Sequence, residues 1–299
     1  MRRAHVALAA SLALGVSALA GCGSDSLEEG GGSDKASGAE TKVEKDDAVA
    51  KLVPKELQGK TLNIGSDASY APNEFLGDDG KTVEGMDVDL FNAAAAKMGL
   101  KTKWTNAPFD ALILGVSSDK YDMAVSSFTI NPERKKQVSM ISYFDAGTQW
   151  VVPKGNEGKI DPDAACGKSI GVQKGTVQID DLDARSKKCE QAGKKPIKQV
   201  VDQEQSKVTA SLISGKTEAM VADSPIALYA VKQNEDQLES LGDMYDSAPY
   251  GVVVPKEDQE FAKAVAAAYT SLEEDGTYEE ILKKWGNESG AIDDFAVNP

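Results

Sequence analysis

The stretch Ala219-Met220-Val221-Ala222-Asp223-Ser224-Pro225 predicts a short buried strand that leads directly into a helix. Its apolar residues are typical of strands that parallel sheets bury on both faces, and Ser-Pro is typical of a helix start. The same alternation recurs along the chain and predicts an α/β fold. Further strands are predicted at 61–65, 121–125, 169–173 and 251–254, and helices at 86–98, 109–116, 132–138, 177–191, 205–214, 225–233, 259–274 and 278–285.

Two segments, 150–153 and 248–252, are predicted to be extended and look like a pair of strands that pass from one half of the fold to the other. If both pass between the same two halves, the chain forms two lobes with a cleft across a two-strand hinge. Periodicity alone does not establish this topology. The predicted divisions are 59–150 for the first part of lobe 1, 151–248 for lobe 2, and 249–299 for the second part of lobe 1 with a C-terminal tail.

The N-terminus carries the pattern of an export signal that ends in a cysteine. Arg2 and Arg3 precede an apolar run, 6–20, and small residues stand before Cys22. The run is short and rich in alanine, so a signal peptide over 1–21 is a better prediction than a membrane-spanning helix. A small-residue site ending in Cys resembles the lipobox of bacterial lipoproteins, which implies lipidation of Cys22. The alternative is an ordinary secretory signal with an unmodified cysteine.

Residues 22–58 are predicted to form the lipidated cysteine and a disordered tether. From 23 to about 50 the chain is dominated by Gly, Ser, Asp, Glu and Lys, so it cannot bury enough surface to offset the entropy of ordering. A flexible segment of this kind reaches roughly 30 Å. Ordered structure is expected to start within 52–59.

Charge and histidine content exclude several classes of function. The formal charge is −15, and without Arg2 and Arg3 of the signal the chain has 31 basic against 48 acidic residues, a charge of −17. Such a surface repels nucleic acid, so a nucleic-acid partner is not expected. The only histidine, His5, lies in the signal, which excludes Ser-His and Cys-His catalysis and histidine metal sites in the mature protein.

Once Cys22 is assigned to lipidation, Cys166 and Cys189 remain as a pair in an oxidising compartment. A disulfide between them is the prediction, and two free or metal-binding thiols are the alternative.

Five motifs occur in order at the spacing of one known family. They are Gly65-Ser66-Asp67-Ala68-Ser69-Tyr70-Ala71-Pro72, Gly85-Met86-Asp87-Val88-Asp89-Leu90, Ser126-Ser127-Phe128-Thr129-Ile130-Asn131-Pro132-Glu133-Arg134, Ala222-Asp223-Ser224-Pro225 and Asp275-Gly276-Thr277-Tyr278. Over 61–286 the chain resembles the family 3 solute-binding proteins of bacterial amino-acid ABC transporters. The resemblance implies a two-lobed, type II periplasmic-binding-protein-like fold in which helices flank a mainly parallel sheet in each lobe. Two departures are Met86, where the family has a larger residue, and Asn73-Glu74-Phe75 beside the pocket.

The resemblance implies opposite charges for the two ends of a zwitterionic amino acid. It matches Arg134 to the residue that binds the ligand carboxylate, although the residues alone favour a solvated helix face. It matches Asp223 to the residue that binds the ammonium group, where the alternative role is helix capping. Backbone N–H groups at Gly175, Thr176 and Val177 begin a predicted helix and can receive the carboxylate from lobe 2.

The remaining site residues are also assigned by resemblance. Tyr70 and Phe109 match aromatic walls around the ligand side chain, although single aromatic residues are more often part of a core. Asp67 matches a carboxylate that reaches polar or cationic ligands, with a turn as the alternative. A further group is expected to contact the ligand directly: Ser126, Ser127, Thr129 and Glu74.

The function implied is a membrane-tethered, extracytoplasmic receptor that binds a free amino acid with a polar or cationic side chain and delivers it to an ABC permease. A monomer without metal or cofactor is expected, and the chain is not expected to be an enzyme. It has no phosphate-binding loop for ATP hydrolysis. The alternatives are an exported cyclohexadienyl-dehydratase-like enzyme on the same fold, which needs a positioned general acid, and a sensing module for a signalling partner.

Overall fold

The computed structural model describes residues 43–299, so the predicted signal peptide, Cys22 and the first half of the tether lie outside the described residues. The helices are α1 Asp47–Ala50, α2 Met86–Lys97, α3 Phe109–Ser117, α4 Pro132–Gln137, α5 Val177–Gln191, α6 Gln205–Ile213, α7 Ser224–Gln233, α8 Gln259–Glu274 and α9 Thr277–Trp285. The strands are β1 Thr61–Ser66, β2 Ser69–Tyr70, β3 Glu74–Leu76, β4 Val83–Glu84, β5 Lys101–Asn106, β6 Met123–Thr129, β7 Val138–Pro153, β8 Ser169–Gln173, β9 Lys198–Asp202, β10 Ala219–Asp223 and β11 Leu238–Pro255.

Among these residues, eight strands form one sheet in the order β5-β1-β6-β11-β7-β10-β8-β9, and β2-β3-β4 form a separate small sheet. In the large sheet β1 pairs parallel with β5 and β6, and β8 pairs parallel with β9 and β10. The two long strands β7 and β11 pair antiparallel along most of their lengths. They connect the two parallel groups, as expected for an α/β fold with two lobes and a two-strand crossing.

The hydrophobic core is divided in the same way. One large cluster packs α2, α8 and α9 against β1 and the lobe 1 parts of β7 and β11. A second set packs α5, α6 and α7 against β8 and β10 in lobe 2. The predicted divisions at 150 and 248 fall inside β7 and β11, and they stay a prediction of where the lobes separate.

Within the described part of 22–58, ordered structure begins earlier than the predicted start at 52–59, because α1 covers Asp47–Ala50. Asp46 caps α1 by accepting from the N–H groups of Ala48 and Val49, and it also accepts from the Ser271 hydroxyl at 2.9 Å. Val49 and Val53 are buried in the lobe 1 core, with 5% and 2% exposed. The polar composition of this segment gave no indication of its packing. Two valines and one cap are enough to attach a short segment to a helix surface.

The predicted disulfide between Cys166 and Cys189 is present in lobe 2. It links the chain before β8 to the last turn of α5.

Candidate functional site

A narrow cavity of about 10 Å³, with room for about one water molecule, lies between the lobes, beyond the carboxyl ends of β1, β6, β8 and β10. This is the position that open α/β sheets offer to ligands. Ten of the twelve residues that line it were predicted from the sequence as ligand-binding residues, and two were not. The lining comprises Asp67, Tyr70, Phe109, Ser126, Ser127, Thr129, Arg134, Gln173, Thr176, Val177, Gln178 and Asp223.

Arg134 projects from the first turn of α4, which begins at Asn131 with a side-chain cap onto the Arg134 N–H at 2.9 Å. Its guanidinium donates to the Thr129 carbonyl at 2.8 Å and, across the cleft, to the Gly175 carbonyl at 3.1 Å. It also lies 5.3 Å from the centre of the Phe109 ring. A guanidinium has five N–H donors, so three are left by these contacts within residues 43–299.

The surroundings of Arg134 leave its charge uncompensated by any acidic side chain within 4 Å among the described residues. Only 8% of the residue is exposed. Burial therefore lowers the pKa of Arg134 to about 10, although Asp223 counteracts part of this shift. The arrangement favours an anionic ligand group with planar, two-oxygen geometry.

Asp223 is the last residue of β10, and its side chain enters the same cavity from lobe 2. It accepts from Gln178 Nε2 at 2.7 Å and from the Tyr70 hydroxyl at 2.8 Å. These donors are neutral, and the described residues supply no basic group within 4 Å. Burial raises the pKa of Asp223. The site suits a cationic group that completes the charge balance.

Asp67 follows β1 and lines the same cavity. Its carboxylate accepts from the Phe109 N–H at 2.9 Å, the Ser69 N–H at 3.1 Å and Gln173 Nε2 at 3.0 Å. Burial raises its pKa, and the negative charge of Glu204 contributes in the same direction. A neighbouring cavity of about 400 Å³ also has Asp67 in its lining, so this carboxylate lies at the boundary between the two cavities.

The lobes are in contact across the cleft. Besides the bonds from Tyr70 and Arg134, the Gln205 N–H donates to the Ser69 hydroxyl at 3.0 Å and Lys174 pairs with Asp110 at 2.9 Å. Gly175 lies in this interface with a φ of +82°, and a Cβ there would be 3.0 Å from Asp110 Cβ. The glycine therefore permits both the turn and the close approach of the lobes.

Two residues predicted to contact the ligand are not part of the cavity lining. Glu74 does not line the cavity; it lies behind Ser126 and Ser127, whose hydroxyls donate to it at 3.0 and 3.3 Å. Gly175 does not line it either, and its contribution is the carbonyl that accepts from Arg134. The two serines follow the predicted strand at 121–125 but lie inside β6, because that strand continues to Thr129.

Gln173 and Gln178 line the cavity but were not predicted from the sequence. Gln173 ends β8 and bridges to Asp67, and Gln178 is the second residue of α5 and contacts Asp223. The rule that ligands lie beyond the carboxyl ends of parallel strands would have indicated Gln173. Gln178 had no comparable signal.

Residues 43–299 contain no candidate metal centre and no candidate membrane span. No group of three or more His, Cys, Asp or Glu side chains in this range is arranged as a metal site. None of its helices is both long and apolar enough to cross a bilayer.

Comparison with known proteins agrees with this architecture. The arginine-binding protein ArgT of Corynebacterium glutamicum is 35% identical over 252 residues, covering 84% of this chain and 82% of that protein. The L-cystine-binding protein TcyJ of Escherichia coli K12 is 29% identical and covers 78% and 85%. A solved ancestral arginine-binding protein bound to arginine has 34% identity and a TM-score of 0.71, over 77% of this chain and 99% of that one.

A further solved structure is the ancestral amino acid-binding protein AncCDT-1, a precursor of cyclohexadienyl dehydratase, with 30% identity, a TM-score of 0.68, and coverage of 75% and 95%. Residues 62–288 match the family described as bacterial extracellular solute-binding proteins, family 3. The chain therefore belongs to the family 3 bacterial extracellular solute-binding proteins.

Proposed function

We propose that this protein binds a free amino acid with a cationic side chain, such as arginine, between the lobes at this cavity. The observation that carries the proposal is that Arg134 and Asp223 line one cavity without a neighbouring side chain of opposite charge within 4 Å in residues 43–299. A zwitterion supplies both missing charges at once. The α-carboxylate would bind Arg134 and the α-ammonium would bind Asp223.

Asp67 supports the choice of a cationic side chain. Its carboxylate is held by neutral donors, and Glu204 adds negative potential, so a guanidinium or ammonium is favoured there over a neutral or anionic group. The relatives named for arginine support the same class. The open space beside Asp67 would accommodate the end of a long side chain.

The cellular role we propose is capture of the amino acid outside the cytoplasm, from a lipid anchor on Cys22, and delivery to an ABC permease. Closure would be favoured by the ligand because its charges are satisfied from both lobes. A micromolar affinity would correspond to about −8 kcal/mol. Lipid attachment can be tested by mass spectrometry of membrane-extracted protein, in which C22A should lose the added mass and the membrane association.

We propose binding without catalysis. The alternative of a dehydratase needs a proton donor in contact with the substrate. Asp67 and Asp223 already accept hydrogen bonds from neutral donors, as ionised carboxylates do, and Glu74 does not line the cavity. Incubation with prephenate or arogenate should therefore give no aromatic product. A protein that senses the ligand for a signalling partner would still have to close around that ligand. This alternative is therefore compatible with the binding proposal.

The decisive experiment is calorimetry with a matched set of ligands. Arginine carries all three charges, citrulline lacks the side-chain charge, N-acetylarginine lacks the ammonium, and arginine methyl ester lacks the carboxylate. We expect the wild type to bind arginine best and to lose measurable binding to the acetyl and ester derivatives. R134A should abolish arginine binding while retaining a cooperative thermal transition. Unchanged affinity in R134A, or equal binding of the ester and arginine, would refute the proposal.

A further inference from the structure

Two carboxyl groups are buried directly behind the serines of the cavity. Glu74 and Asp87 are both 0% exposed and lie within hydrogen-bonding reach of each other. Neither forms an ion pair with a basic side chain in residues 43–299. Two adjacent carboxylates without a cation or water are strongly disfavoured, so such a pair retains a proton.

The backbone brings the two carboxyls together at Gly85. Gly85 has a φ of +138°, and a Cβ there would lie 2.2 Å from the Asn73 carbonyl oxygen, so only glycine fits. The start of α2 consequently packs onto the segment before β3, where the Asp87 N–H donates to the same carbonyl at 2.9 Å. Glu74, the next residue, then faces the Asp87 side chain.

The hydrogen-bond donors around the pair indicate where the proton lies. Asp87 Oδ2 accepts from the Ser127 N–H at 2.9 Å, from the Ser127 hydroxyl at 3.2 Å and from the Tyr143 hydroxyl. Asp87 Oδ1 has no partner among the described residues when both carboxyls are treated as acceptors. Within residues 43–299, the donor groups that Glu74 accepts from are the hydroxyls of Ser126 and Ser127. Ser127 has one hydroxyl proton, which lies within reach of both carboxyls, so the donors that belong to Asp87 alone are the Ser127 N–H and the Tyr143 hydroxyl. These two donors stabilise the anion on Asp87, so Glu74 holds the proton and donates it to Asp87.

Neighbouring ionisable groups reinforce this assignment. Beyond the effect of burial, the negative charge of Asp67 raises the pKa of Glu74 further. Tyr143 and Tyr269 also lie near the pair, and burial and the charge of Asp87 raise the pKa of both phenols, so they stay neutral at pH 7. Burial and the charge of Asp87 raise the pKa of Glu74 well above its ordinary value, whereas burial raises that of Asp87 to about 6. Glu74 therefore retains its proton at a higher pH than Asp87.

The pair also fixes the direction of the two seryl hydroxyls. A hydroxyl has one donor and two acceptor positions. Ser126 donates to Glu74 and accepts from the Asp67 N–H at 3.0 Å, and Ser127 donates to the carboxyl pair and accepts from Asn73 Nδ2 at 2.9 Å. Each serine therefore has one acceptor position left, and both line the cavity.

The backbone of Ser127 depends on the same pair. Ser127 has a φ of +49°, a left-handed conformation that costs free energy for a residue with a side chain. The hydrogen bond from its N–H to Asp87 holds this conformation.

We propose that Glu74 and Asp87 are positioning residues that share one proton and, through it, present Ser126 and Ser127 as acceptors for the ammonium group of the ligand. This role rests on the proposed amino-acid binding. Neither carboxyl touches the ligand; both act through the serines. At a pH high enough to remove the shared proton, repulsion between the carboxylates separates the pair and the serines lose their fixed orientation.

The test compares E74Q with E74A, and uses E84Q as the matched control on an exposed glutamate of β4. The amide of E74Q can donate to Asp87 and accept from Ser126, so it imitates the protonated acid. We expect E74A to lose roughly tenfold or more in arginine affinity at pH 7, because the serine and aspartate lose their partner, and E74Q to recover most of this loss. E84Q should match the wild type. Between pH 7 and 9 the wild-type affinity should fall relative to E74Q. Equal losses in E74Q and E74A, failure of E74Q to fold, or a constant ratio of wild-type to E74Q affinity over this range would overturn the proposal.

A second measurement needs no ligand. Infrared spectroscopy of the ligand-free wild type at pH 7 should show the carbonyl band of a buried protonated carboxylic acid, and E74Q should lack it while E84Q keeps it. Absence of the band in the wild type would overturn the shared proton. A wild type that keeps the band but binds no amino acid would refute the proposed function and the ammonium role, while leaving the proton assignment intact.

Discussion

The Tyr70 hydroxyl donates a hydrogen bond of 2.8 Å to the Asp223 carboxylate, and the two residues belong to different lobes. Tyr70 lies on the small sheet of lobe 1, and Asp223 ends β10 of lobe 2. Both are buried, with 5% and 6% exposed. This bond therefore joins closure of the cleft to the residue proposed to bind the ligand ammonium group.

The substitution Y70F should weaken arginine binding without changing the choice of ligand. It removes a hydrogen bond to a charged group, which contributes about 1.5–3 kcal/mol and corresponds to roughly a 10- to 100-fold loss of affinity. Calorimetry measures the loss, and Y229F, in a different surface groove, serves as the control. An affinity equal to that of the wild type would remove Tyr70 from the closure contact.

The substitution D67N should change selectivity. The Asp67 carboxylate is proposed to pair with the ligand side chain, so arginine affinity should fall roughly 10- to 100-fold while citrulline affinity changes little. The ratio of the two affinities is the measured quantity, and the exposed D78N is the control. Equal losses for both ligands would contradict a side-chain role for Asp67.

Binding should release protons at acidic pH. Burial raises the pKa of Asp223, so the ligand-free native state holds a proton on it at pH values where the unfolded chain has lost one. Below neutral pH the affinity should therefore fall as pH falls, because the ammonium group binds the ionised form. Calorimetry at about pH 5 in buffers of different ionisation enthalpy counts the protons released. Proton uptake, or no dependence on the buffer, would contradict this expectation.

The raised pKa of Asp223 also affects the stability of the ligand-free protein, but this effect decreases with rising pH whereas the affinity increases. The native state binds more protons than the unfolded state between the ordinary pKa of 3.8 and the raised value, so this group's contribution to the free energy of unfolding falls as pH rises through that window. In D223N the contribution is absent. Denaturant unfolding of both proteins across the window measures it, and a wild type that gains stability relative to D223N with rising pH would contradict it.

The ion pair between Lys174 and Asp110 should contribute little to binding. It crosses the cleft at 2.9 Å, but the lysine side chain is 52% exposed. Exposed pairs contribute about 0–1 kcal/mol and are screened by salt. K174A should therefore lose no more than about fivefold in affinity, with a smaller loss at high salt. A loss as large as that of R134A would contradict this ranking.

The disulfide should stabilise lobe 2 without affecting the site. Its two cysteines are 23 residues apart, and closing such a loop contributes about 3 kcal/mol by the chain-entropy estimate. The double variant C166A/C189A should lose about this free energy of unfolding, while its arginine affinity stays near that of the wild type because neither cysteine lines the cavity. A large change in arginine affinity with little change in the free energy of unfolding would contradict this prediction.

Much of the secondary structure followed from the sequence. The predicted strand at 169–173 and the predicted helices at 177–191 and 259–274 have the same limits in the structure, because local apolar spacing and caps define such elements. Other predictions failed where non-local pairing decides. β6 extends to Thr129 because its later residues pair with β11, a partner more than 100 residues away. The strands β2, β3 and β4 are too short to produce a periodic signal.

The sequence by itself determined which chemical groups this protein could use: arginine and carboxylates at strand ends, two cysteines, and no histidine beyond His5. Only the tertiary structure decided that Gln173 and Gln178 line the cavity and that Glu74 lies behind it against Asp87. The physical reason is that residue type and local spacing fix charge and backbone preference. Whether a carboxyl meets a ligand, a serine or another carboxyl depends on how distant segments pack, and local pattern carries no record of that packing.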